Sequence, residues 1–251
     1  RLKRVSTVIF NTNSFLKKIS TKTHTVNTLL KDTDPSKKWE LDLGVSYGSY
    51  SVPPISPYAY SASPYSVKFS PDGTKMYITG NNYPQPEIYQ YNLSTAWDVT
   101  TATYNSQKAG LPTKLSNLSS VYAFCFKSDG TKLYVSTGRI AGASYRFEQF
   151  SLATPWDITT STYDNVSLTV DYPYEASPHG MAWNSDGTKL IIIGEYNYNI
   201  DIYTVSTPFN ISTAGSPVQN SGLQYLDIPH DIAFSSDGTK VYIPFANTRK
   251  V

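Results

Sequence analysis

The residues best suited to chemistry in this sequence recur at one position of a repeated segment. Tyrosine or histidine stands there in each of four copies, seven residues before an Asp-Gly-Thr-Lys motif. A ring of such side chains could stack against a sugar or bind an anionic ligand. The alternative is that they only pack and hydrogen-bond at the rim of a fold. The four residues are Tyr65, Tyr122, His179 and His230.

The motif aspartates are a second candidate, as calcium ligands. Calcium loops concentrate several oxygen ligands within about a dozen residues, whereas each motif offers one carboxylate followed by Thr and Lys. We therefore interpret each Asp-Gly pair as a turn, because Asp bonds its own backbone and Gly tolerates positive φ. No metal site is predicted. The turn pairs are Asp72 and Gly73, Asp129 and Gly130, Asp186 and Gly187, and Asp237 and Gly238.

The sequence predicts no catalytic set and no cofactor. Cys125 lies in an apolar segment, and no Gly-x-Ser-x-Gly elbow is present. Glu87, Glu148, Glu175 and Glu195 could supply carboxylates for glycoside cleavage, but sequence spacing does not give the separation that this reaction needs. One cysteine and three histidines exclude a disulfide framework and a cysteine-based zinc site.

The same repeat predicts the strands that hold these residues. Its aspartates are 57, 57 and 51 residues apart. Apolar residues alternate before each turn, as Val67 and Phe69 do, which indicates a half-buried strand. A short apolar run after the turn indicates a strand covered on both faces. The aligned segments are 66–78, 123–135, 180–192 and 231–243.

A looser block follows the first three hairpins. It predicts a third strand, an aromatic anchor, and a fourth strand near Tyr104 and Tyr163. We interpret Trp97, Trp156 and Phe209 as anchors that pack one unit against its neighbour. Four short strands in a unit of about 50–60 residues are typical of a propeller blade. We therefore predict an all-β propeller of four-stranded blades, three of them complete and one partial.

The repeat resembles a known superfamily. The segments SPDGTKMYI (70–78) and IYQYNLST (88–95) are similar to the repeats of YVTN-type and lactonase-like β-propellers, which are related in shape to WD40 domains. The segment LSTAWDVTT (93–101) resembles the longer blades of phage tail and virion proteins and of bacterial surface proteins. The resemblance covers about residues 61–251. It implies the fold more than a function, because propellers host enzymes, receptors and scaffolds.

Charge divides the chain near residue 38. Residues 1–38 carry nine Lys or Arg and two Asp, whereas the other 213 residues carry 12 basic and 17 acidic groups. We treat 1–38 as a basic N-terminal arm or linker and 39–251 as the propeller. Within it, 39–60 is a candidate for the outer strand that closes the last blade. The repeats lie at about 61–117, 118–174, 175–225 and 226–251, the last of them partial.

Propellers generally close with about four to eight blades. We therefore expect the natural polypeptide to continue beyond Val251, and the sequence leaves the oligomeric state open. Charged residues make up 16% and aromatic residues 14%, with 21 tyrosines. This composition suits strands and turns and excludes a helical bundle, a coiled coil and a disordered tail.

Three functions are compatible with this sequence. We favour a non-enzymatic structural or binding module of a virion or cell surface. It would be associated with a phage tail or would bind a receptor, as an adhesin does. Its arm would attach to other assembly proteins, and its loops would meet a glycan or protein receptor outside the cell. No stretch is long enough to span a membrane, and the arm has too few aromatics to favour nucleic acid. The alternatives are a secreted or periplasmic enzyme of lactonase or glycan-lyase type and a purely architectural decoration protein.

Overall fold

The molecule is an all-β propeller built from four-stranded antiparallel sheets, as the sequence predicts. A computed structural model describes most of the repeat region and one segment near the N-terminus. Within the residues described there are sixteen strands, three short 3-10 helices and no α-helix. The described residues are 5–11, 64–80, 88–108, 121–137, 145–170, 178–194, 200–220, 228–235 and 240–246.

Blades 1, 2 and 3 are meanders in which consecutive strands pair. The first strand of each blade lies innermost, and the innermost strands β2, β6 and β10 contact one another around a common hub. In blade 1 the strands are β2 (Pro64–Phe69), β3 (Lys75–Gly80), β4 (Ile88–Leu93) and β5 (Ala102–Lys108). In blade 2 they are β6 (Val121–Phe126), β7 (Lys132–Thr137), β8 (Tyr145–Leu152) and β9 (Ser161–Val170). In blade 3 they are β10 (Pro178–Trp183), β11 (Lys189–Gly194), β12 (Ile200–Thr204) and β13 (Val218–Asn220).

Blade 4 is assembled differently. Its second strand, β16 (Lys240–Ala246), pairs with the short strands β14 (Ile228–Pro229) and β15 (Ala233–Phe234). The other edge of β16 pairs with β1 (Val5–Asn11), which takes the place of a third strand. The sequence places β1 in the arm and does not predict a strand there. An unpaired sheet edge exposes backbone N–H and C=O groups, and β1 satisfies them. The predicted closing segment 39–60 lies outside the described residues.

The hairpin turns of blades 1, 2 and 3 are each held by an aspartate. In blade 2 the carboxylate of Asp129 accepts hydrogen bonds from the backbone N–H of Thr131 at 2.9 Å and from its hydroxyl at 2.6 Å. Asp72 and Asp186 make the same pair of bonds to the threonine two residues later. Such bonds imitate a backbone turn and place the following glycine at positive φ. Gly130 has a φ of +73°.

In blades 1, 2 and 3 an aromatic anchor covers this turn. Trp156 has a φ of +62°, and its backbone N–H donates to the carbonyl of Gly130 at 3.0 Å. Its indole lies so close that a Cβ at Gly130 would be 2.3 Å from Nε1. Glycine is therefore required for both the backbone angle and the space. Trp97 and Phe209 cover the turn glycines of blades 1 and 3 in the same way.

A short 3-10 helix follows each anchor and explains the Trp-Asp-x-Thr-Thr pattern. In blade 2 the carboxylate of Asp157 caps Ile158–Thr160, accepting from the N–H of Thr159 at 3.1 Å and from its hydroxyl at 2.7 Å. Asp98 and Asn210 cap the equivalent helices of blades 1 and 3. A cap satisfies amide groups that a helix of one turn leaves unpaired.

Neighbouring blades meet through two opposed faces. We define the tyrosine face by the tyrosine of the second strand and the glutamine of the third strand. At the junction of blades 2 and 3, the hydroxyl of Tyr134 donates to the carbonyl of Phe209 at 2.6 Å. The N–H of Ile211 donates to Oε1 of Gln149 at 3.3 Å. The anchor face is the side of the next blade that carries the anchor and the 3-10 helix.

The junction of blades 1 and 2 repeats these contacts. The hydroxyl of Tyr77 donates to the carbonyl of Trp156, and the N–H of Ile158 donates to Oε1 of Gln90 at 3.1 Å. The ring of Phe126 lies between, with its centroid 4.7 Å from Tyr77 and 5.0 Å from Trp156. Burial raises the pKa of both junction tyrosines far above the ordinary value. Their hydroxyls therefore remain protonated donors.

The junction of blades 3 and 4 is apolar instead. Ile191 stands where blades 1 and 2 carry tyrosine, and Ile202 stands where they carry glutamine. Ile191 packs in one buried cluster with Ile193, Ile232 and Ile243. This junction is therefore held by apolar burial rather than by directed hydrogen bonds.

We predict that Tyr134→Phe lowers the free energy of unfolding by about 1–2 kcal/mol, because a junction carbonyl loses its buried donor. Urea unfolding measures the loss. Tyr242→Phe is the matched control: Tyr242 holds the same position of blade 4, is half-buried, and its hydroxyl has no hydrogen-bonding partner within the described ranges. Equal losses in the two variants would contradict a role of the hydroxyl in joining the blades.

Gly180 lies where the innermost segments of blades 3 and 4 come close together. A Cβ at this position would lie 2.8 Å from Cα of Asp231 in blade 4. We predict that Gly180→Ala destabilises the fold by about 1–3 kcal/mol, since the backbone of blade 4 must move. In the control Gly215→Ala, the new Cβ has its nearest contact at 3.7 Å, to the carbonyl oxygen of Thr204. Urea unfolding measures the loss of stability in both variants. If Gly180→Ala loses no more than the control, the tight packing at Gly180 is refuted.

Candidate functional site

The four residues singled out at the start of the inner strands form one aromatic group. The ring centroids of Tyr65 and Tyr122 are 5.1 Å apart and stacked. Tyr122 and His179 are 5.9 Å apart with an interplanar angle of 6°, and His179 and His230 are 5.1 Å apart. We call these four residues the hub aromatic cluster. The structure brings all four together, and their ligand-binding role stays a prediction.

The cluster is positioned by the innermost strands. Tyr65, Tyr122 and His179 lie on β2, β6 and β10, and His230 directly follows β14. All four side chains are half-buried. They pack on one another inside the hub and still present surface to solvent at one end of it. An aromatic surface of this kind can stack on the apolar face of a ligand while the ring heteroatoms hydrogen-bond.

His179 is uncharged at neutral pH. Burial, together with the neighbouring His230, lowers the pKa of its imidazole to about 4. The groups packed around it are two tyrosines and this second imidazole. At pH 7 the cluster around His179 therefore offers rings and hydrogen-bonding atoms rather than a fixed positive charge.

A charged group bridges blades 4 and 1 beside the cluster. Both carboxylate oxygens of Asp231 accept from Nζ of Lys68, at 2.7 and 2.9 Å. The hydroxyl of Ser66 donates to Oδ2 at 3.2 Å. About a fifth of each charged side chain is exposed. This pair links the first strand of blade 1 to blade 4 across the hub.

The sequence analysis missed Asp231 and Lys68, although the repeat contains a signal for both. The position of Asp231 holds Ser66, Ala123 and Gly180 in the other blades, which are small and uncharged. The position of Lys68 holds only Cys125 or alanine. A charge in a column of small residues indicates a specific partner. The partner could not be found without the three-dimensional structure.

Cys125 and Glu148 are enclosed in the blades. Burial raises the pKa of the Cys125 thiol to about 12, so the reactive thiolate is scarce at neutral pH. Burial also raises the pKa of Glu148, which accepts from the hydroxyl of Tyr163 at 2.7 Å and pairs with Arg146 at 3.1 Å. Glu148 lies within blade 2, on β8. The other candidate glutamates Glu87, Glu175 and Glu195 lie outside the described residues.

The motif aspartates and the anchors lie away from the hub cluster, at the opposite ends of the innermost strands. Desolvation alone would raise the pKa of Asp129, but hydrogen bonds from Lys127 and Thr131 outweigh it and lower the pKa to about 2. Asp237 and Gly238 lie outside the described residues. Within the ranges that are described, no three His, Cys, Asp or Glu side chains lie close enough to hold a metal ion. No helix of these ranges is long and apolar enough to cross a membrane.

Comparison with known proteins finds only distant structural likenesses. No family model and no curated protein matches the chain. A candidate 6-phosphogluconolactonase from Bacteroides uniformis is similar at 15% identity, with a TM-score of 0.46 over 74% of this chain and 49% of that one. A protein from Lactobacillus plantarum is similar at 14% identity and a TM-score of 0.44, over 75% of this chain and 49% of that one.

A third solved structure is the β-propeller domain of Cps50 from Myceliophteria thermophila. It is 10% identical, with a TM-score of 0.40 over 77% of this chain and 58% of that one. The chain spans about half the length of the first structures that it matches. With TM-scores below 0.5, these likenesses carry no conclusion about the function of this chain. The resemblance to phage-tail repeats stays a prediction.

We predict that stability falls as the pH drops from about 6.5 to about 4. The unfolded chain takes up a proton at position 179 in this window, whereas folded His179 does not, because burial lowers its pKa to about 4. The loss reaches about 3 kcal/mol at most. The turn aspartates have lowered carboxyl pKa values in the folded chain. The stability that they contribute is lost only below about pH 4, in a separate and more acidic range.

Urea unfolding at pH 7 and pH 4.5 measures this loss. The variant His179→Gln has no titrating imidazole and should show a flatter profile between these two pH values. An unchanged profile in His179→Gln would show that another group causes the loss.

Proposed function

We propose that this propeller is a non-enzymatic binding module that recognises a glycan at the hub aromatic cluster. The observation that supports it is the convergence of four rings from four blades on one half-exposed surface. Few other positions of the repeat keep an aromatic or imidazole ring in every copy. Stacking on a sugar needs such a surface, because the C–H groups of a pyranose pack on the faces of aromatic rings.

The charge of the cluster favours a neutral ligand over an anion. Nδ1 of His179 is buried, so Nε2 of this neutral imidazole is the nitrogen that would hydrogen-bond a sugar hydroxyl. Lys68 is a positive charge on the described part of the hub, and Asp231 pairs with it at 2.7 Å. A phosphate or carboxylate would therefore find little net attraction here.

The same geometry disfavours catalysis at the cluster. An imidazole with a pKa of about 4 is a weak base at neutral pH, far from the value that suits general-base work. Cys125 is held as a thiol, and Glu148 is enclosed in blade 2 with Arg146 and Tyr163. Binding is therefore the function that these side chains support best.

We place this module on a virion or a cell surface, outside the cell. The basic arm would attach it to other proteins of the assembly, and the hub would face the receptor. The tyrosine-rich composition supports this setting, because tyrosine provides large contact area with few rotatable bonds.

We predict that the full chain binds a subset of glycans on an array and that ring removal weakens this binding. Tyr122→Ala should raise the dissociation constant about tenfold or more, a loss of about 1.4 kcal/mol. Tyr122→Phe keeps the ring and should stay within about threefold of the parent. The double variant His179→Gln with His230→Gln should also weaken binding. Circular dichroism confirms that each variant is folded.

Two results would overturn the proposal. The first is binding that survives both Tyr122→Ala and the double histidine change, since the ligand would then sit elsewhere. The second is hydrolysis of a lactone by the parent that the double histidine change abolishes, since the cluster would then be catalytic. Val218→Ala serves as a surface control, because Val218 is exposed on the outer strand β13.

A further inference from the structure

The innermost strand of blade 4 is interrupted at the hub aromatic cluster. In blades 1, 2 and 3 this strand is continuous over six residues. In blade 4 it is divided into β14 and β15, and residues 230–232 between them belong to neither strand. The N–H of His230 donates to the carbonyl of Pro244 at 2.9 Å. His230 therefore lies on a short segment with less regular strand pairing than the equivalent segments of the other blades.

The carboxylate of Asp231 supplies contacts that this segment lacks. Oδ1 accepts from the backbone N–H of Ile232 at 2.8 Å and from Nζ of Lys68 at 2.7 Å. Oδ2 accepts from the same Nζ at 2.9 Å and from the hydroxyl of Ser66 at 3.2 Å. Lys68 and Ser66 both belong to β2, the strand that carries Tyr65. One carboxylate therefore caps the interrupted segment and ties it to blade 1.

Blade 3 confines the same segment from the other side. A Cβ at Gly180 would lie 2.8 Å from Cα of Asp231. Ile232 is buried in the apolar cluster that blades 3 and 4 share. The ring centroid of His230 lies 5.1 Å from that of His179 on β10. The segment is thus held by close packing on blade 3 and by the ion pair on blade 1, so loss of the ion pair removes a restraint on one side.

The ion pair carries a cost that an apolar contact would avoid. About a fifth of each charged side chain is exposed, so both groups have lost much of their hydration. Removing charges from water is unfavourable, and an apolar pair of similar size often stabilises a fold as well as an ion pair does. An ion pair differs because its hydrogen bonds have direction and fix one geometry. This pair is therefore better suited to setting a position than to adding stability.

We propose that Asp231 and Lys68 are positioning residues of the hub aromatic cluster. They hold the interrupted segment of blade 4 against β2 and thereby keep the imidazole of His230 packed on that of His179. The position of His230 depends on no ligand, whereas the effect of the pair on binding rests on the function proposed above. A preorganised surface loses little affinity to ordering, so displacement of His230 weakens the binding of a ligand that contacts it.

The imidazole of His179 reports on the position of the segment. Burial, together with His230, lowers its pKa to about 4, and Tyr65 and Tyr122 are the other rings packed around it. Movement of the segment would expose this imidazole and separate the two histidines. The chain has three histidines, so an NMR titration follows each of them, and His179→Gln and His230→Gln assign the signals. The third, His24, is a reference within each sample.

Two single variants separate displacement from a direct effect of charge. We expect both Lys68→Met and Asp231→Asn to raise the pKa of His179 from about 4 to about 5 or above, because both release the segment. A direct effect of charge would act in opposite directions. Lys68→Met leaves an unpaired carboxylate, which favours the imidazolium, and Asp231→Asn leaves an unpaired ammonium, which disfavours it.

Two further variants are matched controls. Lys68→Arg keeps the charge and can donate to both carboxylate oxygens, so the pKa of His179 should stay at about 4. Lys132→Met removes a similar ion pair within blade 2, in which Nζ lies 2.9 Å from Asp164 and 3.2 Å from the hydroxyl of Ser151. This change does not touch the hub, so it should leave the pKa of His179 unchanged.

A rise of the pKa in both single variants, with both controls at the parent value, supports the proposal. Unchanged values in folded Lys68→Met and Asp231→Asn would overturn it, since the pair would then only stabilise the fold. Opposite shifts in these two variants would also overturn it, since charge alone would explain them. If a single variant does not fold, the double variant decides by the same criterion, because it leaves no buried charge without a partner.

Glycan binding is measured separately on the same variants. Lys68→Met should raise the dissociation constant of a glycan that the parent binds at least about threefold, and Lys68→Arg should stay close to the parent. Equal affinity of all three proteins would contradict the effect of the pair on binding. A parent chain that binds no glycan contradicts the function proposed above, and the NMR titration still decides whether the pair positions His230.

Discussion

The faces of the four-stranded sheets are the constraint on which this structure depends. Each blade is apolar on both sides, so neither side can remain in water without a large loss of hydrophobic stabilisation. Stacking blades around a hub buries these faces one after another. Apolar packing has no preferred direction, whereas the hydrogen bonds of the tyrosine hydroxyls fix the orientation of one blade against the next. Tyr134, for example, reaches a single carbonyl of the next blade at 2.6 Å.

The carbonyl that accepts this hydrogen bond belongs to Phe209, a residue with a strained backbone conformation. Trp156 and Phe209 adopt positive φ, which costs a bulky residue roughly 1–3 kcal/mol. The strain is offset where the ring covers the turn glycine and the carbonyl accepts the neighbour's hydroxyl. The Asp-Gly turn, the anchor and the junction tyrosine therefore form one connected device. The turn glycine leaves space for the anchor ring, and the carbonyl of the anchor accepts the hydrogen bond of the junction tyrosine.

The hub shows how such a scaffold creates a binding surface. The blades bring the starts of four innermost segments together, so residues more than 160 positions apart in the chain share one cluster. Packed strands hold these rings in position, which suits recognition, because a preorganised surface needs little ordering when a ligand binds. Departures from the repeat mark the places with special roles. Asp231 replaces a small residue and bridges blades 4 and 1, and Ile191 replaces a tyrosine where blade 4 packs.

Much of the fold could be read from the sequence because its signals are local. Asp-Gly turns, alternating apolar residues and the spacing of the repeat each depend on a few neighbouring positions. The repeated position that holds Tyr122 and His179 could be recognised in the sequence for the same reason. The repeat also predicted a fourth strand near Tyr163, which β9 provides.

Other features were decided only in three dimensions. The Asp231–Lys68 pair joins residues 163 positions apart, and no local pattern specifies such a partner. The pairing of Val5–Asn11 with β16 likewise depends on which sheet edge is open. The sequence alone determined the blade, because a blade is built from contacts between close neighbours in the chain. Tertiary structure decided the hub, because the hub depends on how whole sheets meet.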